Sequence, residues 1–334
     1  MRAVVLRSYG GPEVLELADV EAPVPTPDEI LVDVHGAALN RADLLQRQGM
    51  YPDPGRTKGP NGPEIPGMEY AGVVAAVGDR VTEWKVGDEV MGIETGGCYA
   101  EQVVTNARQA LPVPPGLALD DAAAVPEVFI TAWDALVVQG GLTSGRWALV
   151  HAGASGVGTA AIQIIRSLGA RAAVTCSSGK ADACRNLGAD LVVERSPADW
   201  PAALRDGLAE FGRRDGVDVI LDVIGGEEAD RNLAAIRLKG TIVQVGLMGG
   251  GPATVNLGLL LAKRARWIGT VLRGRAPEEK QAISRRFADE VLPLFSTGDL
   301  RAVIDRRFPL DDVAEAHRHM AADANVGKIL LDVR

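Results

Sequence analysis

Cysteine and histidine are scarce in this sequence. Its three cysteines, Cys98, Cys176 and Cys184, form no CxxC pair, so neither a disulfide framework nor a structural zinc lobe is indicated. The four histidines include no HxxxH pair, and His317 and His319 are predicted to have surface or capping roles. No GxSxG segment occurs, which argues against a serine hydrolase. The sequence therefore predicts no bound metal and no Ser/His/Asp catalysis.

Long apolar runs are also missing. The longest candidates, such as residues 257–262, fall well short of the ~18 residues that indicate a membrane span. The chain begins with a short strand-like run that lacks the features of a secretory signal. These features predict a cytosolic protein that does not enter a membrane.

An excess of positive charge is absent as well. The 35 basic and 44 acidic residues give a formal net charge of −9. Binding to a phosphate backbone relies on clustered positive charge, so nucleic acid is not an expected partner. With 334 residues, 47% apolar and 24% charged, the chain is typical of a globular protein larger than one average domain.

The first part of the chain, up to about residue 120, is rich in short strand-like runs separated by proline and glycine. These predicted strands are residues 3–6, 30–34, 73–77 and 86–91. They indicate a compact, partly barrel-like unit. Residues 52–66 are rich in proline and glycine, and predict a long surface loop that is either an active-site lid or an irregular connection.

Beyond about residue 120 strands alternate with helices, a pattern typical of βαβ units and a parallel sheet. The predicted strands of this part are residues 147–152, 172–176, 217–222 and 241–246. Apolar residues at helical spacing follow the first of them, and Gly169 is predicted to cap that helix. Gly240 is predicted to end the helix before the last strand.

A turn of small residues lies between the strand at 147–152 and the helix after it. We predict that these residues bind a dinucleotide: Gly153, Ala154, Ser155, Gly156, Val157 and Gly158. Small residues let the backbone approach a pyrophosphate, whose charge is favoured by the N–H groups and dipole of the helix. Ser155 replaces the middle glycine of the usual GxGxxG, so the strand and helix context carries the prediction. The alternative is a plain tight turn.

The choice of cofactor is predicted at the end of the second strand, where a site for NAD usually offers an acidic residue to the ribose. No carboxylate occurs there before Asp182, whereas Ser177, Ser178 and Lys180 could hold a 2′-phosphate. This segment favours NADPH over NADH. The alternative is a solvated loop that happens to contain Lys180.

Several motifs together resemble one family. They are Asn40-Arg41-Ala42-Asp43 and residues 67–74, 86–88, 97–101, 151–158 and 327–329. Over essentially the whole chain, the sequence resembles the medium-chain dehydrogenase/reductase superfamily and, within it, the zinc-independent quinone oxidoreductases. Residues 39–43, 246–251 and 325–328 are similar to the subgroup of the tumour-suppressor-inducible quinone oxidoreductase.

The resemblance implies an α/β fold in which a Rossmann doubly wound parallel sheet is joined to a GroES-like β-rich catalytic domain. The Rossmann domain, which would bind NADPH, is expected at residues 124–267, and the catalytic domain at residues 1–123 and 268–334, with substrate in the cleft between them. Homodimers are usual in this family. In its zinc enzymes, a cysteine and a histidine ligand occupy the positions of Asn40 and Met68, neither of which offers such a ligand.

By similarity, Asn40 is expected near the nicotinamide and Tyr51 near the substrate, as the catalytic contacts. Ser177 and Lys180 are expected at the adenosine phosphate, where Arg195 stands in place of a tyrosine of the subgroup. The other residues expected to contact the cofactor are Gly246, Leu247, Met248, Gly249, Leu272, Arg273 and Asn325.

The catalytic predictions have structural alternatives. Asn40 could instead cap a helix that begins at Arg41, because asparagine is a favoured N-cap, and Tyr51 could pack against the surface. Asp43 and Glu69 are the acids expected beside the cleft. For each of them a structural ion pair, with Arg41 as the candidate partner, is favoured over acid–base catalysis.

Without a metal to polarise it, an acceptor must be intrinsically electrophilic. Quinones and conjugated enones meet this condition, because hydride transfer gives a delocalised anion that a few hydrogen bonds stabilise. The sequence and the resemblance together predict an NADPH-dependent oxidoreductase acting on a small-molecule quinone or another electrophilic acceptor. The alternatives are an enoyl or 2-alkenal reductase of the same fold and a non-catalytic NADPH-binding protein.

Overall fold

The computed structural model of the chain describes residues 1–51, 63–195 and 199–334. Residues 52–62, most of the predicted loop at 52–66, lie outside the described residues. The chain divides into two compact units, Met1–Ile130 with Arg273–Arg334, and Thr131–Leu272. The boundaries predicted from the sequence fall after residues 123 and 267.

The strands are β1 (Arg2–Leu6), β2 (Leu15–Asp19), β3 (Glu29–Ala38), β4 (Glu69–Val77), β5 (Glu89–Ile93), β6 (Gln102–Asn106), β7 (Leu111–Pro112), β8 (Trp147–Val150), β9 (Arg171–Cys176), β10 (Leu191–Glu194), β11 (Val217–Asp222), β12 (Ile236–Gln244), β13 (Arg266–Gly269), β14 (Ile304–Pro309) and β15 (Lys328–Asp332). The helices are α1 (Arg41–Arg47), α2 (Leu119–Ala122), α3 (Pro126–Trp133), α4 (Gly156–Ser167), α5 (Ala181–Leu187), α6 (Trp200–Glu210), α7 (Glu228–Ala235), α8 (Leu257–Lys263), α9 (Pro277–Glu290), α10 (Pro293–Ser296) and α11 (Val313–Ala321). Short 3-10 turns at Pro12–Val14, Ser178–Lys180 and Leu310–Asp312 and a π-helical turn at Asp134–Gln139 complete the described elements.

The first unit is built on a mixed sheet. Its described strands follow the order β14-β15-β3-β4-β5-β7, with β6 also paired to β3. Along β3, Ile30, Val32 and Val34 are fully buried and alternate with more exposed residues, as in a strand with one face on the core. The predicted β-rich unit is confirmed, and its sheet joins the two ends of the chain because β15 pairs with β3.

The second unit contains a parallel sheet with the described order β10-β9-β8-β11-β12-β13. All residues of β8 and β11 are buried, as expected for strands covered on both faces. Numbered from β8, this order is the 3-2-1-4-5-6 arrangement of a doubly wound Rossmann sheet, in which ligands bind beyond the carboxyl ends of the strands between β8 and β11. The predicted fold class is confirmed.

Two local predictions in this unit have different outcomes. Gly169 follows the last turn of α4 with a φ of +68°, as expected of a glycine that ends a helix. The prediction for Gly240 is wrong, because α7 ends at Ala235 and Gly240 lies inside β12. A Cβ at Gly240 would lie 2.5 Å from Ile236 Cγ1, so the glycine accommodates an irregularity within the strand.

The prediction of surface or capping roles is wrong for His317. Its side chain in α11 is fully buried, with its ring edge-on to Tyr99 at 6.1 Å between centroids. Burial lowers the pKa of His317 to about 3. His319 instead lies near the surface, where its Nε2 is 2.8 Å from Asp305 Oδ2.

Among the described residues, no helix is long and apolar enough to cross a membrane.

Candidate functional site

The glycine-rich turn leads directly from β8 into α4. Ser155 is the N-cap of this helix, and its Oγ accepts a hydrogen bond from the Gly158 N–H at 3.0 Å. The amides of Gly156 and Val157 occupy the first turn of the helix, where the N–H groups have no partner within the helix. Replacing the usual glycine by Ser155 therefore caps the helix and leaves two amides directed at the space beyond its N-terminus.

Two glycines of the turn are required by close packing. A Cβ at Gly153 would lie 2.7 Å from Val174 Cβ in β9, and a Cβ at Gly158 would lie 2.4 Å from the Ala152 carbonyl oxygen. A dinucleotide-binding turn needs glycine where the backbone turns tightly and where the helix approaches the strand. The turn therefore fits the group that the sequence predicts.

The predicted cofactor segment 246–249 follows β12 and lies beside the loop after β11. The Met248 N–H donates to the Val223 carbonyl at 3.2 Å, and the Gly249 N–H donates to the Ile224 carbonyl at 2.7 Å. The side chains of Leu247 and Met248 are exposed. Both loops thus lie at the carboxyl ends of neighbouring strands, β11 and β12.

The residues predicted to select the cofactor lie at the carboxyl ends of β9 and β10. Ser177 is exposed and Lys180 is half-buried at the 3-10 turn that follows β9. The Arg195 N–H donates to the Cys176 carbonyl at 2.8 Å, which brings Arg195 next to Ser177 across the two strands. The structure therefore places these three residues together at the carboxyl ends of the adjacent strands β9 and β10.

The first unit holds a buried cluster of charged and polar side chains around Asn40. Lys328 donates three hydrogen bonds, to the Leu39 carbonyl at 2.6 Å, to Asn40 Oδ1 at 2.7 Å and to Glu69 Oε1 at 2.6 Å. The Asn40 Nδ2 donates to Glu69 Oε1 at 2.8 Å and to the Ala38 carbonyl at 3.4 Å. An ammonium group has three protons, and Lys328 donates all three of them within this cluster.

Asp43 holds the backbone on the other side of Asn40. Its Oδ2 accepts hydrogen bonds from the Asn40 N–H and the Tyr99 hydroxyl, each at 2.8 Å. Asn40 is the N-cap of α1, as the structural alternative proposed, while its side chain is held by Glu69 and Lys328. Burial raises the pKa of Asp43 to about 6.

A structural ion pair of Glu69 is confirmed, but Arg41 is the wrong partner for both acids. Arg41 pairs with Asp323 near the surface, whereas the partner of Glu69 is Lys328. The reason lies in topology: pairing of β15 with β3 brings the buried Lys328 to Asn40 and Glu69. Arg41 is the first residue of α1 and only partly buried.

Glu127, in the first turn of α3, is a carboxylic acid that the sequence did not single out. Its N–H donates to Glu69 Oε2 at 2.9 Å. Burial and the charge of Glu69 raise the pKa of the Glu127 carboxyl to about 7, although the Lys328 and Arg273 cations act in the opposite direction. The group is therefore poised to gain or lose a proton near neutral pH.

Tyr51 and Arg273 lie together in the first unit. The guanidinium carbon of Arg273 is 4.7 Å from the centroid of the Tyr51 ring, a cation–π contact. Arg273 is only 8% exposed, and its three guanidinium nitrogens have no hydrogen-bond partner among the described residues. Buried donors of this kind require an acceptor, so the arrangement fits a ligand that brings oxygen atoms.

Two further predicted residues, Leu272 and Asn325, lie one in each unit. Leu272 is half-buried after β13, at the end of the second unit. Asn325 is buried before β15, and its Nδ2 donates to the Gly327 carbonyl at 2.7 Å. Their contacts with a cofactor stay predictions.

No group of three or more His, Cys, Asp or Glu side chains arranged to hold a metal ion occurs within residues 1–51, 63–195 and 199–334. The positions of the expected zinc ligands are Asn40 and Met68. The oxygen atoms that Asn40 and Glu69 offer face the Lys328 ammonium instead.

Two family models match the chain. The model of the zinc-binding dehydrogenases covers residues 156–289, and the alcohol dehydrogenase GroES-like domain covers residues 26–115. A quinone oxidoreductase of Pseudomonas aeruginosa is 34% identical over 336 residues, which span 99% of this chain and 99% of the relative. The chain belongs to the medium-chain dehydrogenase/reductase superfamily.

Solved structures of the superfamily are similar over the full length of the chain. The quinone oxidoreductase of Escherichia coli, complexed with NADPH, has a TM-score of 0.89 at 27% identity and covers 100% of both chains. The CurK enoyl reductase has a TM-score of 0.86 at 26% identity and covers 100% of this chain and 99% of that one. Quinone and enoyl reductases are thus both among the similar structures of this superfamily member.

Proposed function

We propose that this superfamily member is an NADPH-dependent reductase of quinones, in which the second unit binds the nucleotide and the cluster around Asn40 serves the acceptor. The observation that carries the proposal is the glycine-rich turn, whose Gly153 and Gly158 allow no Cβ, at the centre of a doubly wound sheet. Likeness to the quinone oxidoreductases of Pseudomonas aeruginosa and Escherichia coli supports the same conclusion.

Binding of NADPH would use three sets of residues. The amides of Gly156 and Val157, together with the other turn residues, receive the pyrophosphate at the start of α4. Ser177, Lys180 and Arg195 offer hydroxyl and cationic groups to the 2′-phosphate, and the chain after β9 contains no acidic residue before Asp182. The other contacts assigned to the nucleotide are Gly246, Leu247, Met248, Gly249, Leu272, Arg273 and Asn325.

The bound nicotinamide would supply a hydride, so the acceptor must become an anion that the protein stabilises. We assign this role to the first unit. Tyr51 offers a hydroxyl donor to this anion, whereas the amide nitrogen of Asn40 already donates to Glu69 and to the Ala38 carbonyl. The Lys328 ammonium donates to Asn40 Oδ1 and Glu69 Oε1, so these two oxygens are not available to hold a metal ion. Without a metal ion to polarise the acceptor, electrophilic acceptors such as quinones are favoured.

Reduction of a quinone by hydride also consumes one proton, which completes the hydroquinone, and we assign the delivery of this proton to Glu127. The residue is partly exposed, and its carboxyl holds a proton below about pH 7. The Glu127 Oε–H would protonate the reduced oxygen and then regain a proton from water. Neither Asp43 nor Glu69 suits this role, because both carboxylates are fully buried and engaged by other groups.

The test compares acceptors at a fixed NADPH concentration. We expect steady-state oxidation of NADPH with 9,10-phenanthrenequinone to have a kcat/KM at least about tenfold above that with trans-2-alkenals. Turnover of alkenals alone would overturn quinone reduction and leave the same fold acting on a C=C bond. Binding of NADPH without oxidation by either class would support the non-catalytic alternative.

An enoyl or 2-alkenal reductase is the second candidate function. The likeness to the CurK enoyl reductase favours it, and a conjugated enone needs the same two components, a hydride and a proton. The acceptors differ in where the proton is delivered: to an oxygen in a quinone and to a carbon in the reduced enone. The acceptor panel therefore separates the two candidates directly.

We further propose that the protein forms a homodimer through the second unit. Strand β13 is an edge of the parallel sheet, and the neighbouring helix α8 presents Leu257 and Leu261 with 62% and 76% of their surfaces exposed. An open edge beside exposed leucines favours pairing with a second copy. Sedimentation analysis should give a dimer for the wild type and a monomer for Leu261→Asp.

A further inference from the structure

Four buried side chains beneath the glycine-rich turn form a continuous chain of hydrogen bonds. They are Thr175, His151, Asn232 and Asp222, each at most 2% exposed. His151 Nδ1 lies 2.9 Å from Thr175 Oγ1, and His151 Nε2 lies 2.7 Å from Asn232 Oδ1. Asn232 Nδ2 donates to Asp222 Oδ2 at 2.9 Å. This buried chain is not needed to explain the fold class or the reaction.

The donors and acceptors of this chain have one consistent direction. The Asp222 carboxylate can only accept, so Asn232 presents its amide nitrogen to Asp222 and its oxygen to His151. His151 must then carry a proton on Nε2, which leaves Nδ1 to accept from the Thr175 hydroxyl. Of the two neutral tautomers of His151, the geometry therefore assigns the one with its proton on Nε2.

The chain crosses the centre of the parallel sheet. His151 directly follows β8, Thr175 lies in β9 and Asp222 ends β11, while Asn232 reaches them from α7. The gap between β8 and β11 is the point at which the strand order reverses, where ligands bind in doubly wound sheets. The hydrogen bonds thus join the strand ends that support the proposed nucleotide site.

The Thr175 and His151 end of this chain of hydrogen bonds supports a strained residue. Ala152, between His151 and Gly153, has a φ of +53°, a left-handed conformation that is unfavourable for any residue with a Cβ. Thr175 holds both neighbours of Ala152, since its carbonyl accepts from the Gly153 N–H at 2.9 Å and its hydroxyl meets the His151 ring. The start of the glycine-rich turn is therefore fixed from both sides.

The Asp222 end of this chain of hydrogen bonds fixes the loop after β11. Asp222 Oδ1 accepts from the amides of Ile224 and Gly225 at 2.6 and 3.1 Å. The carbonyl of Asp222 accepts from the Val245 N–H at 2.7 Å and from the Gly246 N–H at 3.3 Å. The same residue therefore anchors both the loop after β11 and the start of segment 246–249.

We propose that His151 is a positioning residue for the nucleotide, because its ring connects the glycine-rich turn to the loops at the end of β11 and β12. This inference rests on the proposed binding of NADPH. His151 itself lies beneath the turn and is not assigned a contact with the nucleotide. Its removal should therefore weaken nucleotide binding while leaving the acceptor's KM unchanged.

The first test is the His151→Phe variant, which removes both hydrogen bonds of the ring. It keeps an aromatic ring beside Trp200, whose centroid lies 5.1 Å from that of His151 in the wild type. We expect the Kd for NADPH, titrated by fluorescence without an acceptor, to rise by about tenfold. The KM for 9,10-phenanthrenequinone at saturating NADPH should change by less than about twofold. The control is His35→Phe, a half-buried histidine in β3 of the first unit, for which the Kd should stay at the wild-type value.

The second test asks whether the effect passes through the strained residue. Ala152→Gly removes the conformational penalty at φ +53°, so the turn no longer needs the His151 ring to hold it. In the His151→Phe background, Ala152→Gly should restore most of the lost affinity. A defect caused only by poor packing around the new ring would not respond to this change, and equal affinity of the single and double variants would contradict the proposal.

Thr175→Val covers the case in which His151→Phe does not fold. This nearly isosteric change removes only the hydroxyl, so a rise of about threefold in the Kd for NADPH is expected.

In the wild-type protein without nucleotide, long-range proton–nitrogen NMR should detect His151 with its proton on Nε2, and a proton on Nδ1 alone would contradict the assigned direction.

The outcomes separate this inference from the proposed function. Failure of the wild type to bind NADPH would overturn the proposed function itself. Tight binding by the wild type and unchanged binding by both His151→Phe and Thr175→Val would overturn only the role of His151.

Discussion

Two regions, the glycine-rich turn of the second unit and the cluster around Asn40 in the first unit, accommodate buried polar groups in different ways. In the second unit, the turn after β8 uses backbone amides, glycines and a chain of side chains that ends in one carboxylate, Asp222. In the first unit, Lys328, Glu69 and Asp43 are all buried together, with Glu127 at their edge. One region therefore depends on the shape of the backbone and the other on opposite charges.

This difference predicts where each region is sensitive. A tightly packed backbone turn is distorted when a substitution adds an atom for which there is no space. A buried charge cluster is destabilised when one partner is removed and the other charge remains unpaired in a nonpolar environment. Substitutions in the second unit should therefore act on nucleotide binding. Substitutions in the first unit should act on stability or on the pH dependence of the reaction.

The largest effect is expected from Lys328→Met, which leaves Glu69 without its cation. We expect the free energy of unfolding in urea to fall by about 3–5 kcal/mol, because the carboxylate stays buried and unpaired. Combining Lys328→Met with Glu69→Leu should recover a large part of this loss. The control is Lys85→Met, whose side chain is 85% exposed and should cost less than about 0.5 kcal/mol. Equal stabilities for the two single variants would contradict the charge-based description of the cluster.

The next effect concerns proton transfer by Glu127. With its pKa raised to about 7, the carboxyl is protonated at lower pH and loses its proton as the pH rises. We expect kcat/KM for the quinone to fall above about pH 7, and Glu127→Gln to lower kcat by about 100-fold and to remove this pH dependence.

Glu94→Gln is the matched control for Glu127. Glu94 is a second carboxyl of the first unit whose pKa burial raises to about 7, and it accepts a hydrogen bond from Thr105 Oγ1. Its substitution should leave the pH profile of the wild type in place. The role of Glu127 is refuted when Glu127→Gln retains that profile.

A smaller effect is expected from Gly158→Ala in the turn. The new Cβ would lie 2.4 Å from the Ala152 carbonyl oxygen, so the turn must shift, and the affinity for NADPH should fall by about 10- to 100-fold. Gly269→Ala is the control, because no atom lies within 4 Å of the position of its Cβ. Calorimetric titration with NADPH measures both variants, and wild-type affinity in Gly158→Ala would argue against a pyrophosphate at this turn.

The smallest effect is expected from Lys180→Ala, which removes one cation from the proposed phosphate site. The ratio of the kcat/KM values for NADPH and NADH should fall by about tenfold, since a charged hydrogen bond to the 2′-phosphate is lost. Lys85→Ala should leave the ratio unchanged. An unaltered ratio in Lys180→Ala would restore the alternative of a solvated loop.

The contrast between the units also explains how much the sequence could predict. The glycine-rich turn occupies six consecutive residues between a strand and a helix, so its elements are recognisable from local pattern alone. The parallel sheet was predicted from the alternation of strands and helices beyond about residue 120. Gly240 was misassigned because an isolated glycine marks both helix ends and strand irregularities, and only the strand pairing separates the two.

The charge cluster could not be predicted in this way. Lys328 and Asn40 are 288 residues apart, and Lys328 and Glu69 are 259 residues apart. Nothing in the spacing shows that the last strand pairs with β3, so the partner of Glu69 was sought in Arg41, its nearer neighbour along the chain. Glu127 follows Pro126 at the start of a helix, where an acidic residue is favoured by the helix dipole and attracts no further notice.

The measurement that tests the central claim most directly is the rate of NADPH oxidation by 9,10-phenanthrenequinone after exhaustive treatment of the protein with a zinc chelator. The account predicts that the rate is unchanged by the chelator and by added zinc, because Lys328 rather than a metal ion occupies the oxygens of Asn40 and Glu69. Loss of activity on chelation that zinc restores would contradict it.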